Sequence, residues 1–367
     1  MKSEMMKRRY DMNDNKMYIA QLHKVIERCD FLEELENKSI LITGATGMVG
    51  TCMIDLLQEY DTLKHANIGI VAMARNGRHM QEAFDRYADK ANLVCVVGDV
   101  NQSMPQTGKA DYIIHAASNT HPLAYASDPI GTIQTNVLGL KNLLDFAAEK
   151  KVKRMVFLSS VEIYGENRGD AERFAEDYCG YLDCNTLRAG YPEGKRVGEA
   201  LCQAYRKHYG LDIVIPRLSR LYGPTMRMSD TKAISQFIKK AAAGEDIVLK
   251  SGGNQLYSYT YVVDAVSAIL HILCKGKDGE AYNVSDMDSE ITLKDLAGIL
   301  ADEAHTRVIF DLPDEQERQG YSSATKALLD AGKLEKLGWS ADTGFNEGLT
   351  TTLSSISLKY SRSILNL

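Results

Sequence analysis

Short apolar runs alternate with longer amphipathic segments through the first two thirds of the chain. Each run is almost continuously apolar, which is typical of strands buried on both faces of a parallel sheet. The runs are residues 39–43, 67–74, 93–97, 111–115, 154–160 and 211–216. Between them, helical periodicity is clearest at 78–90, 130–150 and 190–209. This alternation predicts an α/β fold with a Rossmann-type, doubly wound parallel sheet.

The two ends of the chain depart from this alternation. Residues 17–36 carry an apolar stripe at helical spacing, made of Ile19, Leu22, Ile26, Cys29 and Leu32. We interpret this segment as a helix that covers the core and has no chemical role. Beyond residue 216 the pattern predicts helices separated by short strands. Those helices are residues 231–243, 262–274, 292–303 and 345–360.

These patterns predict three parts of the chain. We expect an N-terminal helical extension over 1–38 and a dinucleotide-binding Rossmann domain over 39–216, to which 262–285 returns. Residues 217–261 and 286–367 are predicted to form a smaller C-terminal α/β lobe that binds the substrate. Such a lobe would lie over the strand ends, where open parallel sheets bind ligands.

Composition narrows the class of protein. Of the 367 residues, 44% are hydrophobic and 25% are charged, which is typical of a soluble protein. The net charge of −6 argues against a nucleic-acid partner. No apolar run approaches the roughly 20 residues that span a bilayer, and the charged start does not resemble a signal peptide. The seven cysteines show no metal-binding spacing. We therefore expect a cytoplasmic protein without membrane contact or a metal site.

The first chemical motif follows the first predicted strand and precedes a helix. It reads Gly-Ala-Thr-Gly-Met-Val-Gly over 44–50. Glycines there permit a tight turn and a close approach of a pyrophosphate, and the helix start offers free N–H groups. A plain tight turn is the alternative. If the motif binds a cofactor, the contacts come from Gly44, Thr46, Gly47, Met48, Val49 and Gly50.

Further cofactor candidates follow the next strands. Arg75 stands where an acid usually holds the ribose of NAD, and an arginine can pair with the 2′-phosphate of NADP. Arg75 could equally be a surface residue or stack on adenine. Asp99 could accept a hydrogen bond from adenine or be a turn residue. We expect NAD as the cofactor. NADP is the alternative, because Arg75 could pair with its 2′-phosphate. The remaining candidates are Val100, Ala116, Ala117 and Ser118.

The second motif places two reactive side chains on one helical face. Tyr191 and Lys195 are four residues apart, so both can face the same site and contact the cofactor. A nearby ammonium favours the phenolate, which could take a proton from a substrate hydroxyl. Ser160 could hydrogen-bond the reacting oxygen. Glu162 could act as an acid or a base, or be a solvated or ion-paired residue.

Together these motifs resemble the extended short-chain dehydrogenase/reductases, in particular the nucleotide-sugar epimerase and dehydratase group. The resemblance covers 39 to about 355 and is carried by GATGMVG, SSVEIYG, YPEGK and RLSRLYGP. Longer stretches at 127–144, 188–205 and 222–238 are most similar to the UDP-glucuronate decarboxylase-like branch. The resemblance implies that Ser160, Tyr191 and Lys195 form a triad. It also implies oxidation of the sugar at C4 to a ketone.

The chain departs from the specialised branches at informative positions. Similar dehydratases carry Asp-Glu where this chain has Val161-Glu162, and similar decarboxylases carry Ser-Glu. Similar decarboxylases also have an arginine at the Tyr257 position and an asparagine at the Arg220 position. Arg220 could therefore replace the missing cation. Epimerisation needs neither group, so we expect an epimerase, with a decarboxylase or a 4-keto reductase as alternatives.

The expected partner is a nucleotide-diphosphate sugar. Its predicted contacts are Thr120, Arg188, Arg220 and Tyr257. The resemblance also implies a homodimer formed through the helices at 130–150 and 190–209. The first of these carries an apolar stripe that could be an interface or part of the internal core. The stripe consists of Ile133, Val137, Leu140 and Leu144.

Overall fold

A computed structural model describes residues 15–105, 108, 110–120, 127–311 and 325–365. Helix α1 (Lys16–Arg28) comes first, and the side chain of Asn15 caps it by accepting a hydrogen bond from the Tyr18 N–H. A 3₁₀ helix (Asp30–Leu35) follows. The apolar stripe of α1 is buried, with Tyr18 and Leu22 fully inaccessible. Residues 1–14 of the predicted extension lie outside the described residues.

Eight strands form the main sheet, and every pairing in it is parallel. In chain order they are β1 (Ser39–Thr43), β2 (Gly69–Ala74), β3 (Leu93–Val97), β4 (Tyr112–His115), β5 (Arg154–Phe157), β6 (Ser159–Ser160), β7 (Ile213–Leu218) and β11 (Ala281–Val284). The spatial order is β11-β7-β5-β4-β1-β2-β3, and β6 pairs with β7. The predicted Rossmann-type sheet is confirmed.

The order of the strands fixes where a ligand can enter. β1 lies between β2 and β4, with Thr43 opposite Met73 on one side and His115 on the other. The chain runs outward from β1 to β3 and then returns to β4, so its direction of winding reverses between β1 and β4. The carboxyl ends of strands at such a reversal form a crevice that binds ligands.

Helices cover both faces of this sheet. They are α2 (Met48–Lys64), α3 (Gly77–Phe84), α4 (Pro129–Gln134), α5 (Leu140–Lys150), α6 (Gly190–Tyr209) and α8 (Val262–Lys275). A π-helical turn over Thr135–Gly139 joins α4 to α5. The predicted 130–150 helix therefore exists, but its register changes in the middle.

The C-terminal part adds two small sheets and four helices among the described residues. Their elements are β8 (Arg220–Tyr222), α7 (Ala233–Ala242), β9 (Ile247–Leu249), β10 (Leu256–Tyr261), β12 (Glu290–Thr292), α9 (Leu293–Glu303), β13 (Val308–Phe310), β14 (Lys326–Ala327), α10 (Gly332–Lys336) and α11 (Phe345–Leu365). β10 pairs with β8, β12 and β14, and β9 pairs with β13. α7 packs against α11 and α9. Thr225 and Arg227 of this lobe donate to the carbonyl oxygens of Met48 and Thr46, which places the lobe beside the carboxyl end of β1.

Within the described part of the chain, no helix is both long enough and apolar enough to cross a bilayer.

Candidate active site

The glycine loop between β1 and α2 is a tight, close-packed turn. Gly44 has a φ of +68°, and a Cβ there would lie 2.6 Å from the backbone of Ala116 at the end of β4. A Cβ on Gly50 would lie 2.6 Å from the carbonyl oxygen of Gly44. Both positions therefore require glycine. The absence of a side chain lets the start of α2 lie close to the carboxyl ends of β1 and β4.

The start of α2 leaves its first N–H groups available to a ligand. Gly47 is the N-cap, and no side chain caps the helix. The unpaired N–H groups and the helix dipole favour an anion there. Because the loop lies at the reversal between β1 and β4, it fits the pyrophosphate of a dinucleotide.

The other predicted cofactor residues follow β2, β3 and β4. Arg75 follows β2, is exposed and donates to Asn119 Oδ1 at 3.4 Å. The Asp99 carboxylate accepts from the Asn101 N–H at 2.9 Å, as a turn residue would. Val100 is buried in the core at 4% exposure, and Ala117 packs against the same core. Ser118 donates to Asn136 Oδ1 at 2.8 Å.

Ser160, Tyr191 and Lys195 come together where β6 meets the start of α6. Tyr191 and Lys195 are buried, and the Lys195 ammonium lies 5.9 Å from the centre of the Tyr191 ring. Lys195 Nζ donates to the Leu158 carbonyl oxygen at 2.7 Å, which fixes the ammonium below the ring of Tyr191. Ser160 hydrogen-bonds Tyr191. The three side chains of the predicted triad therefore form one cluster.

Burial sets the protonation of this cluster. Burial raises the pKa of Tyr191 to about 12, although its hydrogen bond with Ser160 acts in the opposite direction. Burial also lowers the pKa of Lys195 to about 8. Since a phenolate is needed for proton abstraction, a further positive charge beside Tyr191 would assist it. An oxidised nicotinamide ring carries such a charge.

Glu162 is held between two arginines. Its Oε2 accepts from Arg188 Nη2 at 3.3 Å, and its Oε1 lies 3.7 Å from Arg220 Nη2. Arg220 also stacks on Tyr257, with its guanidinium carbon 3.5 Å from the ring centre. Glu162 is therefore an ion-paired residue in this structure, which was one of the alternatives for it. The cluster of two arginines and one glutamate has a net charge of +1.

One cavity of about 650 Å³ connects these features. A volume in this range suits a ligand of substantial size. The predicted residues that line it are Gly44, Gly47, Met48, Val49, Gly50, Ala116, Ser118, Thr120, Ser160, Glu162, Arg188, Tyr191, Lys195, Arg220 and Tyr257. The other predicted cofactor residues are not among the residues that line this cavity. They are Thr46, Arg75, Asp99, Val100 and Ala117. The glycine loop and the Ser160–Tyr191–Lys195 cluster thus face a common space.

Two side chains near the site were missed by sequence reasoning. Asn136 lies in the π-helical turn, is buried at 1% exposure and accepts from Ser118. π turns often occur at functional sites, but this one has no signature in the sequence. Arg227 lines the cavity and donates to Thr46 in the glycine loop. The stretch 222–238, which contains Arg227, is marked in the sequence only by its family resemblance. The contact of Arg227 with the glycine loop could not be predicted, because spacing along the chain does not specify contacts between distant segments.

No group of three or more His, Cys, Asp or Glu side chains in the described ranges is arranged to hold a metal ion.

Fold and site together define an enzyme that binds a dinucleotide across the ends of a parallel sheet. A family model described as the NAD dependent epimerase/dehydratase family matches residues 40–285. This match covers more than half of the chain, so the protein belongs to that family. The cofactor is accordingly NAD, and the glycine cradle at Gly44 and Gly50 fits it.

Similar proteins carry several activities. UDP-glucuronic acid decarboxylase 1 of Danio rerio is 29% identical over 327 residues, which cover 88% of this chain and 73% of the relative. UDP-glucose 4-epimerase of Thermotoga maritima, solved with UDP-glucose, superposes with a TM-score of 0.75 at 22% identity, covering 89% of this chain and 99% of the other.

A third comparison adds another reaction. The dTDP-glucose 4,6-dehydratase DesIV of Streptomyces venezuelae, solved with NAD bound, superposes with a TM-score of 0.76 at 24% identity. It covers 89% of this chain and 98% of the other. The resemblance drawn from the motifs is therefore confirmed at the level of the family. The chain is thus similar in sequence to a decarboxylase and in fold to an epimerase and a dehydratase, so the particular reaction has to be argued from this chain's own site.

Proposed function

We propose that the protein is a nucleotide-sugar epimerase that works through a transient 4-keto sugar. The observation that carries the proposal is the pairing of Glu162 with Arg188 and Arg220 in the cavity that Ser160, Tyr191 and Lys195 also line. The site then holds one proton-transfer group, Tyr191, and a second acid that is engaged in ion pairs. This supports oxidation and re-reduction at one carbon rather than elimination of a second group.

Tyr191 would remove the proton from the C4 hydroxyl and later return it. Ser160, which hydrogen-bonds Tyr191, would hold the reacting oxygen in line and stabilise the phenolate. Lys195 stays below the Tyr191 ring through its bond to Leu158. Bound NAD supplies the oxidation of C4 and its reversal. Inversion then requires that the keto sugar turn over in the cavity, and the volume of about 650 Å³ supports such motion.

Elimination of the C6 hydroxyl has less support. A dehydration needs an acid to protonate the leaving hydroxyl and a base to remove the C5 proton. Val161 is apolar and buried at 5% exposure, and Glu162 is bound by two arginines. Neither side chain is placed to deliver a proton.

Decarboxylation of a nucleotide uronate is the second candidate. The 29% identical relative supports it, as does the net positive charge of the cluster formed by Glu162, Arg188 and Arg220. A sugar carboxylate would be attracted to these arginines. Loss of carbon dioxide from a 4-keto uronate needs no acid beyond the site described above, so the two reactions can be separated only by their products.

Product analysis tests the proposal. The purified protein is incubated with UDP-, dTDP-, GDP- and CDP-sugars, including a uronate, and the products are examined by mass spectrometry and by NMR of the sugar ring. We expect a product of unchanged mass with inverted C4 and no net consumption of NAD. A product lighter by carbon dioxide would establish the decarboxylase instead. Stoichiometric use of reduced cofactor would indicate a 4-keto reductase.

We also propose that the protein forms a homodimer through α4 and α6. These helices pack against each other, and their outer surface carries three exposed apolar side chains. Ile130, Ile133 and Val197 are 69%, 45% and 43% exposed. Apolar side chains on two adjacent helices support an interface in which the same surface of each subunit is buried.

A further inference from the structure

Arg227 connects the C-terminal lobe to the glycine loop. It lies in the segment after β8, yet its Nε donates to the Thr46 carbonyl oxygen at 2.9 Å and its Nη2 donates to Thr46 Oγ1 at 2.6 Å. Arg227 also lines the cavity. The guanidinium therefore lies beside the turn that precedes α2, where the backbone is shaped for a phosphate.

The charge of Arg227 lacks an acidic partner in the described ranges. A guanidinium has five N–H donors, and the bonds to Thr46 use two of them. No carboxylate of the described residues forms an ion pair with it. Partial burial lowers the pKa of Arg227, and the positive charge of Arg75 lowers it further. Arg227 is thus a cation in the cavity wall beside the glycine loop, and an anion bound there would offset its charge.

The segment that carries Arg227 is fixed on both sides. Thr225 Oγ1 donates to the Met48 carbonyl oxygen at 2.8 Å, in the first turn of α2. From α11, Lys359 Nζ donates to the carbonyl oxygens of Pro224 at 3.0 Å and Met226 at 3.4 Å. These bonds hold the backbone next to Arg227 in place, so its guanidinium is positioned before a ligand arrives.

We propose that Arg227, together with the glycine loop over 44–50, forms a clamp for a phosphate group of the bound dinucleotide. Arg227 belongs to the predicted substrate-binding lobe, so the clamp would couple cofactor binding to the position of that lobe. The proposal rests on the NAD dependence within the proposed function, but not on which sugar reaction follows. The phosphate is the pyrophosphate of NAD or, if NADP binds, its 2′-phosphate, because both present the same chemistry to a guanidinium.

Binding measurements on Arg227→Gln test the clamp. Dissociation constants are measured by calorimetry for NAD, NADP and adenosine, with protein freed of cofactor. We expect NAD to bind about 10- to 100-fold more weakly, since a hydrogen bond to a charged group is lost. Adenosine has no phosphate, so its affinity should not change. Arg227→Lys keeps the charge and should recover part of the loss.

The pattern of losses identifies the phosphate. Weaker binding of both dinucleotides assigns the clamp to the pyrophosphate, and weaker binding of NADP alone assigns it to the 2′-phosphate. Unchanged affinity for both, or an equal loss for adenosine, would overturn the clamp and leave Arg227 as a structural contact. Arg307→Gln is the matched control, because its side chain is 82% exposed and pairs with Asp246.

One further measurement keeps the outcomes distinct. The melting temperature of each variant without ligand shows whether it folds, and if Arg227→Gln does not, Arg227→Lys carries the comparison. If the unaltered protein binds neither dinucleotide, the proposed function itself fails. If it binds both and the variants match it, only the clamp fails.

Discussion

Tyr191 is the side chain on which the proposed chemistry depends most. It is buried beside Ser160 and Lys195, and its pKa is raised to about 12 before any cofactor contributes its charge. We predict that Tyr191→Phe lowers kcat by about 10²- to 10⁴-fold, the usual contribution of a positioned acid–base group. Steady-state assays on the substrate found by product analysis check this.

The control for this prediction lies on the same helix. Tyr209 ends α6 and is 55% exposed, so Tyr209→Phe should leave kcat unchanged. The melting temperature of Tyr191→Phe should stay close to that of the unaltered protein, since only a hydroxyl is removed. A rate for Tyr191→Phe within a few-fold of normal would refute the assigned role.

Asp264, in the first turn of α8, gives a prediction about pH. It is 1% exposed, accepts from the N–H groups of Asp342 and Thr343, and burial raises its pKa from 3.8 to about 7. The folded state therefore binds more protons than the unfolded state between about pH 4 and pH 7. Stability from this group is complete below pH 4 and is lost as the pH rises to about 7.

Asp264→Asn removes that titration. We predict that the free energy of unfolding of the unaltered protein falls relative to Asp264→Asn between pH 4 and pH 7, and that the difference is constant above pH 7. Urea unfolding of both proteins across this range measures it, and the other titrating groups cancel in the comparison. Parallel curves would show that Asp264 keeps an ordinary pKa.

Individual site residues could be predicted from the sequence only where local spacing carries the signal. Tyr191 and Lys195 share a helical face, and their placement in one cavity with Ser160 follows the expected pattern. The partners of Glu162 could not be derived, because Arg188 precedes α6 and Arg220 lies in β8. Contacts between distant segments depend on how the elements pack, which spacing along the chain does not specify.

At the scale of elements, two helical glycines differ in how much space surrounds them, so we expect opposite effects of adding a side chain. Gly198 in α6 faces the sheet, and a Cβ there would lie 2.5 Å from Cζ of Phe157, which is fully buried. Gly298 in α9 has nothing within 4 Å of the same position. The first glycine permits close packing of helix on sheet, whereas the second only loosens its helix.

The same substitution should therefore act in opposite directions. We predict that Gly198→Ala destabilises the protein by about 1–3 kcal/mol through overpacking. Gly298→Ala should stabilise it by about 0.5–1 kcal/mol, because alanine is the better helix former. Chemical unfolding of both variants measures the two changes. Equal signs would show that helix propensity, or packing, dominates at both positions.

The π-helical turn explains why the apolar stripe predicted over 130–150 is partly buried and partly exposed. Leu140 and Leu144 are fully buried in the core, whereas Ile133 is 45% exposed. An ideal helix would keep all of them on one face, but the wider turn over Thr135–Gly139 changes the register between them. Regular periodicity predicts the helix and its length. It cannot predict an irregular turn whose residues also suit an ordinary helix.

At the scale of the whole molecule, the alternation of strands and helices was sufficient to predict the parallel sheet. The strands at 39–43 and 93–97 have the predicted bounds, while the 154–160 run divides into β5 and β6. Short strands such as β8 and β9 carry little periodic signal. Their pairing depends on the packing of the C-terminal lobe, so its sheets could not be derived. The three-part division of the chain remains a prediction.

The proposed homodimer is a property of the molecule as a whole, and Val197 offers the sharpest test. Val197 is 43% exposed on α6, the helix that packs against α4. We predict that the protein sediments as a dimer at micromolar concentration and that Val197→Glu is a monomer. Burying an unpaired carboxylate in an apolar interface costs about 3–5 kcal/mol, or at least about 100-fold in the dissociation constant.

Ile299→Glu is the matched control for that experiment. Ile299 is 37% exposed on α9, which belongs to the C-terminal lobe and not to the proposed interface, so the same substitution there should leave the dimer intact. A monomeric Ile299→Glu would point to an interface on α9 instead. An unaltered protein that sediments as a monomer, or a dimeric Val197→Glu, would exclude the proposed interface. In either case the cavity and its Ser160–Tyr191–Lys195 cluster, which lie within one chain, would keep their assigned roles.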